Sequence, residues 1–223
     1  MSRKILLWLI WGTFLTYAFA LAPPNQPDTV TLIQNLSTGN FSGINPLIIA
    51  LFNIMGVLPL IYSCFLYSDG QMQKIPAWLF SIASFGVGAF ALLPYLALRQ
   101  PNPLFAGEKN GWLKFWDSRW TGRLLAVGAI ALLLYGVTQG DWNDFGQQWQ
   151  TSRFIHVMSL DFCLLCLLFP FLLADDMTRR GLTDRRWFWA VTLVPLLGAL
   201  AYVSLRPPLS AEVATTGETV MQS

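Results

Sequence analysis

Long apolar stretches separated by short polar ones run through almost the whole chain. A transmembrane helix needs about 20 consecutive, predominantly apolar residues. Six stretches approach or reach that length, and they cover residues 5–22, 46–67, 76–98, 124–138, 154–174 and 187–205. The pattern predicts an all-α fold, a polytopic bundle of about six transmembrane helices. The first stretch could also be a cleaved signal peptide, but its bulky tryptophans favour a retained helix.

Two aromatic segments between the apolar stretches have helical spacing. In the first, Trp112, Trp116 and Trp120 recur every four residues, and charged side chains lie opposite them. The second contains Trp142, Phe145 and Trp149. Indole rings favour the boundary between lipid and water. The spacing therefore predicts two short amphipathic interfacial segments, with Trp112, Trp116 and Trp120 as membrane anchors.

The remaining polar segments predict surface structure. Asp28 can cap a short helix that ends at Gly39. Residues 206–223 are rich in Pro, Ser, Thr, Glu and Gln, so we expect a disordered polar tail.

Composition agrees with the hydropathy pattern and excludes other classes. Charged residues make up 12% of the chain, hydrophobic residues 54%, and the formal net charge is +2. A soluble domain has about 25% charged residues, and nucleic-acid binding needs an extended basic patch. The expected partners are the lipid bilayer and other membrane proteins, with no nucleic acid.

The basic residues give conflicting indications of orientation. Arg3 and Lys4 precede the first helix, which favours an N-terminus on the cytoplasmic or stromal side. Six spans would then place two loops on the far side, although these loops carry most of the basic residues. Either one apolar stretch is not a full span, or the first is cleaved or re-entrant.

Asp161 is the most informative single residue. It lies about three residues from the middle of the fifth stretch, roughly 4–5 Å from the midplane. A carboxylate there costs at least about 2.5 kcal/mol on insertion scales. It must therefore be protonated, paired or in contact with water. It is a candidate for proton or ion handling, or, when protonated, for a structural hydrogen bond to Asn53 or a backbone carbonyl.

His156 is the only histidine of the chain. A closed metal site needs four ligands, so no metal site is predicted. No cofactor is expected, although His156 could act as a single axial ligand to chlorophyll or haem. No nucleophile elbow or catalytic triad pattern occurs in the sequence. We therefore predict that the protein is not an enzyme.

Small residues form a stripe on the third apolar stretch. Ser81, Ser84 and Gly88 share one face of the predicted helix, which allows another helix to approach closely. This face is expected to pack in the bundle interior or against a partner. By contrast, Asp175, Asp176 and Asp184 lie among four arginines in the fifth loop, where we expect solvated, mutually neutralising charges.

Four segments resemble an uncharacterised family of multi-span membrane proteins from cyanobacteria and plastids. They are PPNQPD at 23–28, NPLIIALFNIMG at 45–56, KIPAW at 74–78 and ALLPY at 91–95. The fifth stretch, with Asp161 and the basic turn after it, resembles a small bacterial domain family of unknown function. The resemblance covers about 21–180. It implies a photosynthetic membrane, either the thylakoid or a bacterial plasma membrane, but assigns no functional residue.

Two functions fit these features. The first is a non-catalytic accessory or assembly factor of a larger membrane complex, such as a photosynthetic one. The second is a small ion- or proton-coupled carrier or channel that uses Asp161. The sequence favours the accessory factor slightly.

Overall fold

The computed structural model describes residues 2–105 and 109–209, and every regular element within them is helical. The twelve α-helices are α1 Arg3–Thr16, α2 Thr29–Thr38, α3 Pro46–Asp69, α4 Ala77–Val87, α5 Ala89–Leu98, α6 Gly111–Asp117, α7 Arg119–Gln139, α8 Trp142–Thr151, α9 Arg153–Leu168, α10 Pro170–Arg179, α11 Arg185–Leu193 and α12 Leu197–Leu205. A π-helical turn, Tyr17–Leu21, extends α1, and a 3₁₀ turn, Gly70–Met72, follows α3.

Four helical segments are long and apolar enough to cross a membrane. They are Arg3–Leu21, Pro46–Asp69, Arg119–Gln139 and Arg153–Arg179, the last comprising α9 and α10. They correspond to the first, second, fourth and fifth predicted stretches. The expectation of a helical protein suited to a membrane is therefore confirmed, with four such segments in the described chain rather than six.

The third stretch, predicted as one span, is a helical hairpin instead. Its arms α4 and α5 meet at Gly88 and run antiparallel, with the Phe80 and Tyr95 rings 5.5 Å apart. Gln73, before the hairpin, exchanges two 2.8 Å hydrogen bonds with the backbone of Gln100, after it. Both ends of this first hairpin therefore lie at the same end of the bundle.

The sixth stretch is also a hairpin. Its arms α11 and α12 are separated by Val194, Pro195 and Leu196, and the φ of Leu196 is +63°. The arms approach so closely that a Cβ at Gly198 would lie 2.8 Å from the Cα of Val191. Each arm has nine residues, about 14 Å of helix, which is half the thickness of a bilayer core.

The centre of the bundle is α3, whose buried side chains include Ile54, Leu58, Ile61 and Phe65. It runs antiparallel to α7, and Gly136 allows the close approach, because a Cβ there would be 2.6 Å from that of Ala50. In lipid, such close packing replaces the hydrophobic effect as the force between helices.

The two ends of the bundle differ in character. At one, called the charged end below, lie the start of α1 and the ends of α3, α5, α10 and α12, and there Arg3 donates to the carbonyl of Arg99. At the opposite end, Arg153 donates to the carbonyls of Pro23 and Pro24. The helix expected after Asp28 is present there as α2 and ends at Gly39, whose φ is +79°. The predicted cap is absent, because the side chain of Asp28 makes no capping hydrogen bond.

Candidate functional site

The predicted intramembrane carboxylate, Asp161, contacts the tip of the first hairpin. Asp161 lies on α9 with 6% of its surface exposed. Its Oδ1 accepts a 2.7 Å hydrogen bond from the backbone N–H of Ala89, the first residue of α5. The first N–H groups of a helix lack partners within it and carry partial positive charge. Asp161 therefore caps α5 from a different helix.

Gly88 makes this contact possible in two ways. Its φ of +51° and ψ of −126° belong to a region that side chains other than glycine rarely adopt. In addition, a Cβ at this position would lie 2.6 Å from the Cγ of Asp161 and would overlap its Oδ2. The tip of the hairpin and the carboxylate therefore fit together only when residue 88 is glycine.

The free energy of this interaction is comparable with the cost of placing a carboxylate in an apolar environment. Burying an aspartate at the bilayer centre costs about 2.5–3.5 kcal/mol. A hydrogen bond to a charged group contributes about 1.5–3 kcal/mol, and a helix N-terminus adds up to about 2 kcal/mol. Because these magnitudes are similar, the contact with the start of α5 can offset most of the cost of burying a charged Asp161.

The suggested hydrogen bond from Asp161 to Asn53 is wrong. The Nδ2 of Asn53 donates instead to the carbonyl of Ile49, one turn earlier in α3, at 2.8 Å. A side chain that bonds its own helix in this way satisfies itself without a partner helix. Asn53 therefore does not join Asp161 in a site.

His156 connects helices at the opposite end of the bundle. Its Nε2 is 2.7 Å from the hydroxyl of Tyr17, and its Nδ1 is 2.9 Å from the carbonyl of Trp149, on whose ring it packs at 4.2 Å between centroids. An axial bond to haem or chlorophyll would have to displace one of these partners. Within the described residues, no group of three or more side chains suits a metal ion.

The predicted small-residue face is used inside the fold. The hydroxyls of Ser81 and Ser63 are 2.7 Å apart, which joins α4 to α3. Ser84 donates to the carbonyl of Ser81, and Gly88 lies against Asp161. Of the two predicted roles, packing within the bundle is therefore the one observed.

The three tryptophans predicted as anchors do not share one face. Trp116 is 8% exposed and packs on Tyr67, whereas Trp112 and Trp120 are 56% and 74% exposed. The helix breaks between them, because Ser118 is extended and caps α7. The prediction of one continuous amphipathic segment is wrong here. The second aromatic segment does form a helix, α8.

A network of buried aspartates and arginines lies at the charged end. Its first half is centred on Asp69, the last residue of α3, which pairs with Arg99 at 2.5 Å and with Arg179 at 3.1 Å. Tyr95 donates to the same carboxylate at 2.5 Å, and Arg99 also pairs with Asp175. These contacts hold the end of the first hairpin against α3 and α10.

The second half of the network is centred on Asp176 of α10. This carboxylate pairs with Arg180 at 2.7 Å and with Arg206 at 3.2 Å, and accepts a hydrogen bond from Tyr202 at 2.9 Å. Arg180 also reaches Asp117 of α6 at 2.7 Å. The end of the second hairpin is thereby fixed to α10 and α6.

Asp117, Arg180 and Arg99, which lie outside the long helices, keep their charges in the network. Burial alone would raise the pKa of Asp117, but the charges of Arg180 and Lys109 outweigh it, and the pKa lies below its usual value. Burial alone would lower the pKa of Arg180 and of Arg99. The neighbouring aspartates reverse this effect and raise both pKa values above the usual one.

This network corrects two sequence predictions. Asp176, Arg179 and Arg180 are buried rather than solvated, and of the predicted tail, Arg206 and Leu209 are buried against it. Leu209 receives a hydrogen bond from Lys109 and donates one to Asp117. The spacing of Asp176 and Arg180, one helical turn apart, was a signal for pairing. Residues 210–223 of the predicted tail lie outside the described residues.

The helices and the site together define a class, that of helical proteins suited to a membrane, with a buried carboxylate at a helix break. Comparison with known proteins adds no particular identity. No family model matches the chain, and neither the curated proteins nor the solved structures give a significant match. The resemblance to the cyanobacterial and plastid family therefore stays a prediction.

Proposed function

We propose that the chain crosses the membrane four times and that both hairpins are re-entrant, entering from the charged end. The four long helices are then the spans, and α4–α5 and α11–α12 each reach to about half depth. Irregular backbone at that depth is tolerated where protein covers it, and Asp161 covers the tip of the first hairpin. Both described termini, near Arg3 and Leu209, lie on one side in this arrangement.

The distribution of basic residues supports this topology. All but one of the 14 lysines and arginines lie on elements at the charged end, and the exception is Arg153. The positive-inside rule assigns such an end to the cytoplasm or stroma. With six full spans the same residues divide between both sides, so the hairpins remove the conflict found in the sequence.

Labelling of single cysteines with a membrane-impermeant maleimide tests the topology. In a background without Cys64, Cys163 and Cys166, cysteines at Gln73 and Gln100 should react only from the side that carries the termini. A cysteine at Gln147, on α8, should react only from the other side. Reaction of positions 73 and 100 from opposite sides would show that the third stretch crosses the bilayer.

We further propose that the protein is a small proton- or monovalent-cation-coupled carrier or channel, with Asp161 as its responsive group. The single observation that carries this proposal is the capping of a broken helix by a buried carboxylate from another helix. Broken helices whose half-helix ends face charged groups near the midplane are typical of transporter binding sites. Proton or cation binding at Asp161 would weaken its hold on α5 and release the hairpin.

Reconstitution into liposomes tests this function. Wild-type protein should dissipate a proton, Na⁺ or K⁺ gradient, as followed with an internal pH- or ion-sensitive dye. Asp161→Asn should abolish the flux, because Asn keeps an acceptor for Ala89 but loses the charge. The matched control is Asp28→Asn, an exposed aspartate at the start of α2, which should leave the flux unchanged.

Two results would overturn the carrier proposal. One is a wild-type protein that dissipates none of the three gradients, and the other is an Asp161→Asn variant with unchanged flux. Elution as a single species and retained helical circular dichroism establish that the variant is folded. A loss of flux then reports on the carboxylate itself.

The accessory or assembly role is the second candidate. Its remaining support is the set of exposed apolar side chains on α7, including Leu124, Val127 and Leu134, which fit a partner helix as well as lipid. The small-residue face no longer supports it, because α3 and α9 occupy that face. Under this role, the protein purifies from thylakoid or plasma membranes in stoichiometric complex, and Asp161→Asn acts only by weakening the complex.

A further inference from the structure

A cavity of about 500 Å³ opens at the charged end, apart from both Asp161 and the buried network. It lies between the end of α3, the link to α4, the first residues of α4 and the start of α6. Its lining includes Tyr67, Gln71, Lys74, Trp78, Asn110 and Trp112. In the proposed topology this cavity lies at the level of the lipid headgroups on the positive side.

One wall of the cavity suits a negative charge. Lys74 and Gln71 are exposed there. Helix α4, of eleven residues, begins directly after Pro76, which provides no side-chain cap. The N–H of Leu79 donates to the carbonyl of Pro76, which leaves the N–H groups of Ala77 and Trp78 without a partner within the helix. A lysine beside an uncapped helix start, in a cavity of this size, is complementary to a phosphate or sulfonate group.

The other walls are aromatic. The rings of Trp112 and Tyr67 are in edge-to-face contact, 5.5 Å between centroids, and Trp78 borders the cavity from α4. Tryptophan and tyrosine at the level of the headgroups place their polar atoms toward water and their rings toward lipid. The cavity thus combines cationic and amphipathic groups.

Between the cavity and the tip of the first hairpin, the exposed face of α4 is an apolar strip. Trp78, Ile82 and Phe85 follow the spacing of one helical face and are 55%, 58% and 50% exposed. The strip leads from the cavity toward the tip of the hairpin. A polar, cationic cavity continuous with an exposed apolar strip has the shape of a lipid, with headgroup and acyl chain in sequence. A free anion would use only the first part.

We propose that this cavity binds the headgroup of an anionic membrane lipid, whose acyl chain lies along the exposed face of α4. Lys74 and the start of α4 hold the acidic group, and Trp78 and Trp112 flank it. The proposal rests on insertion of the protein in a membrane and on the hairpin entering from the charged end. It does not depend on Asp161, so a failure of the transport assay leaves it standing.

Native mass spectrometry of the delipidated full chain tests the proposal. The probes are phosphatidylglycerol and phosphatidylcholine with the same acyl chains, added at equal concentrations. Wild type should retain phosphatidylglycerol in preference to phosphatidylcholine. Lys74→Gln should retain about fivefold less phosphatidylglycerol, the factor expected for one basic residue near an anionic lipid. The control is Lys4→Gln, an exposed lysine at the same end but outside the cavity, which should behave as wild type.

The acyl-chain part has its own variant. Ile82→Ser lies on the strip but outside the cavity lining, and should lower retention of phosphatidylglycerol as well. Equal retention by wild type and Lys74→Gln overturns the proposal, as does equal retention of the two lipids by wild type. Complete displacement of the lipid by inorganic phosphate assigns the cavity to a free anion instead, and also overturns it.

Discussion

The two hairpins are alike in outline and differ at their tips. Each has arms of nine to eleven residues, and both begin and end at the charged end. The first turns at Gly88, where the absence of a side chain makes room for a carboxylate of α9. The second turns at Leu196, and its nearby glycine, Gly198, makes room only for the other arm of the same hairpin.

This difference separates architecture from function. A hairpin of this length can be built without a carboxylate at its tip, as the second hairpin demonstrates. Its turn is a γ-turn, in which Leu197 donates to the carbonyl of Pro195 at 2.8 Å. The carboxylate at the first tip is therefore an addition that the shape itself does not require. For this reason we place the proposed function at the first hairpin.

The largest expected effect comes from releasing each hairpin at its anchor. Asp69→Asn should destabilise the fold by about 3–5 kcal/mol, because it leaves Arg99 and Arg179 buried without their shared partner. Asp176→Asn should cost a similar amount. SDS titration measures the loss of stability, and hydrogen exchange should show faster exchange mainly in α5 for the first variant and in α12 for the second. Identical exchange patterns would contradict separate anchoring.

The next effect tests the fit at the first tip. Gly88→Ala should cost about 3 kcal/mol, because the new Cβ overlaps Asp161 and the backbone conformation is unfavourable for alanine. Gly86→Ala is the matched control, two residues earlier and with open space around its Cβ. There alanine should be neutral or slightly stabilising. Equal stability of the two variants would remove the argument for a built contact.

A smaller effect is expected at the second tip, where glycine should be more stable than alanine, the reverse of their order within a helix. Leu196→Gly and Leu196→Ala both lose the buried side chain, but only glycine relieves the positive φ. The glycine variant should therefore be more stable than the alanine variant by about 1 kcal/mol. Within a helix, alanine is better by a similar amount. If alanine proves the more stable, the turn at Leu196 is not as described.

The smallest effect concerns pH at the anchor of the second hairpin. The pKa of Asp117 is lowered in the folded protein, so its stabilising contribution is complete above the unfolded value of about 3.9. This contribution is lost as the pH falls through the lower folded pKa. In SDS titrations, the stability difference between wild type and Asp117→Asn should be constant above about pH 5 and should shrink below about pH 4. A difference independent of pH would exclude a charged Asp117.

Local sequence patterns were sufficient for the helices but not for their paths. The apolar stretches predicted helical segments correctly, and Asp28 and Gly39 marked the ends of α2. The stretches at 76–98 and 187–205 have the length of a span, and hydropathy does not distinguish a span from two short arms. The conflict among basic residues was the one sequence signal that a stretch had been misassigned.

The candidate site divides in the same way. Asp161 stood out from the sequence, because a carboxylate in an apolar stretch is costly wherever the chain goes. Its partner, Ala89, could not be identified from the sequence, because it is 72 residues away and contributes only a backbone N–H. The buried network was missed because its aspartates and arginines lie beside polar turns, where charges are usually solvated.

The sequence by itself therefore determined two things, that the chain is apolar enough for a membrane and where its helical segments lie. These depend on composition and on local hydrogen bonding. Only the tertiary structure decided which segments turn back, since that depends on pairs such as Arg99 with Asp69 and Arg206 with Asp176. An arginine at the end of an apolar stretch can lie on either side of a membrane. The buried aspartate that it meets in the folded chain holds it, and the hairpin before it, at the charged end.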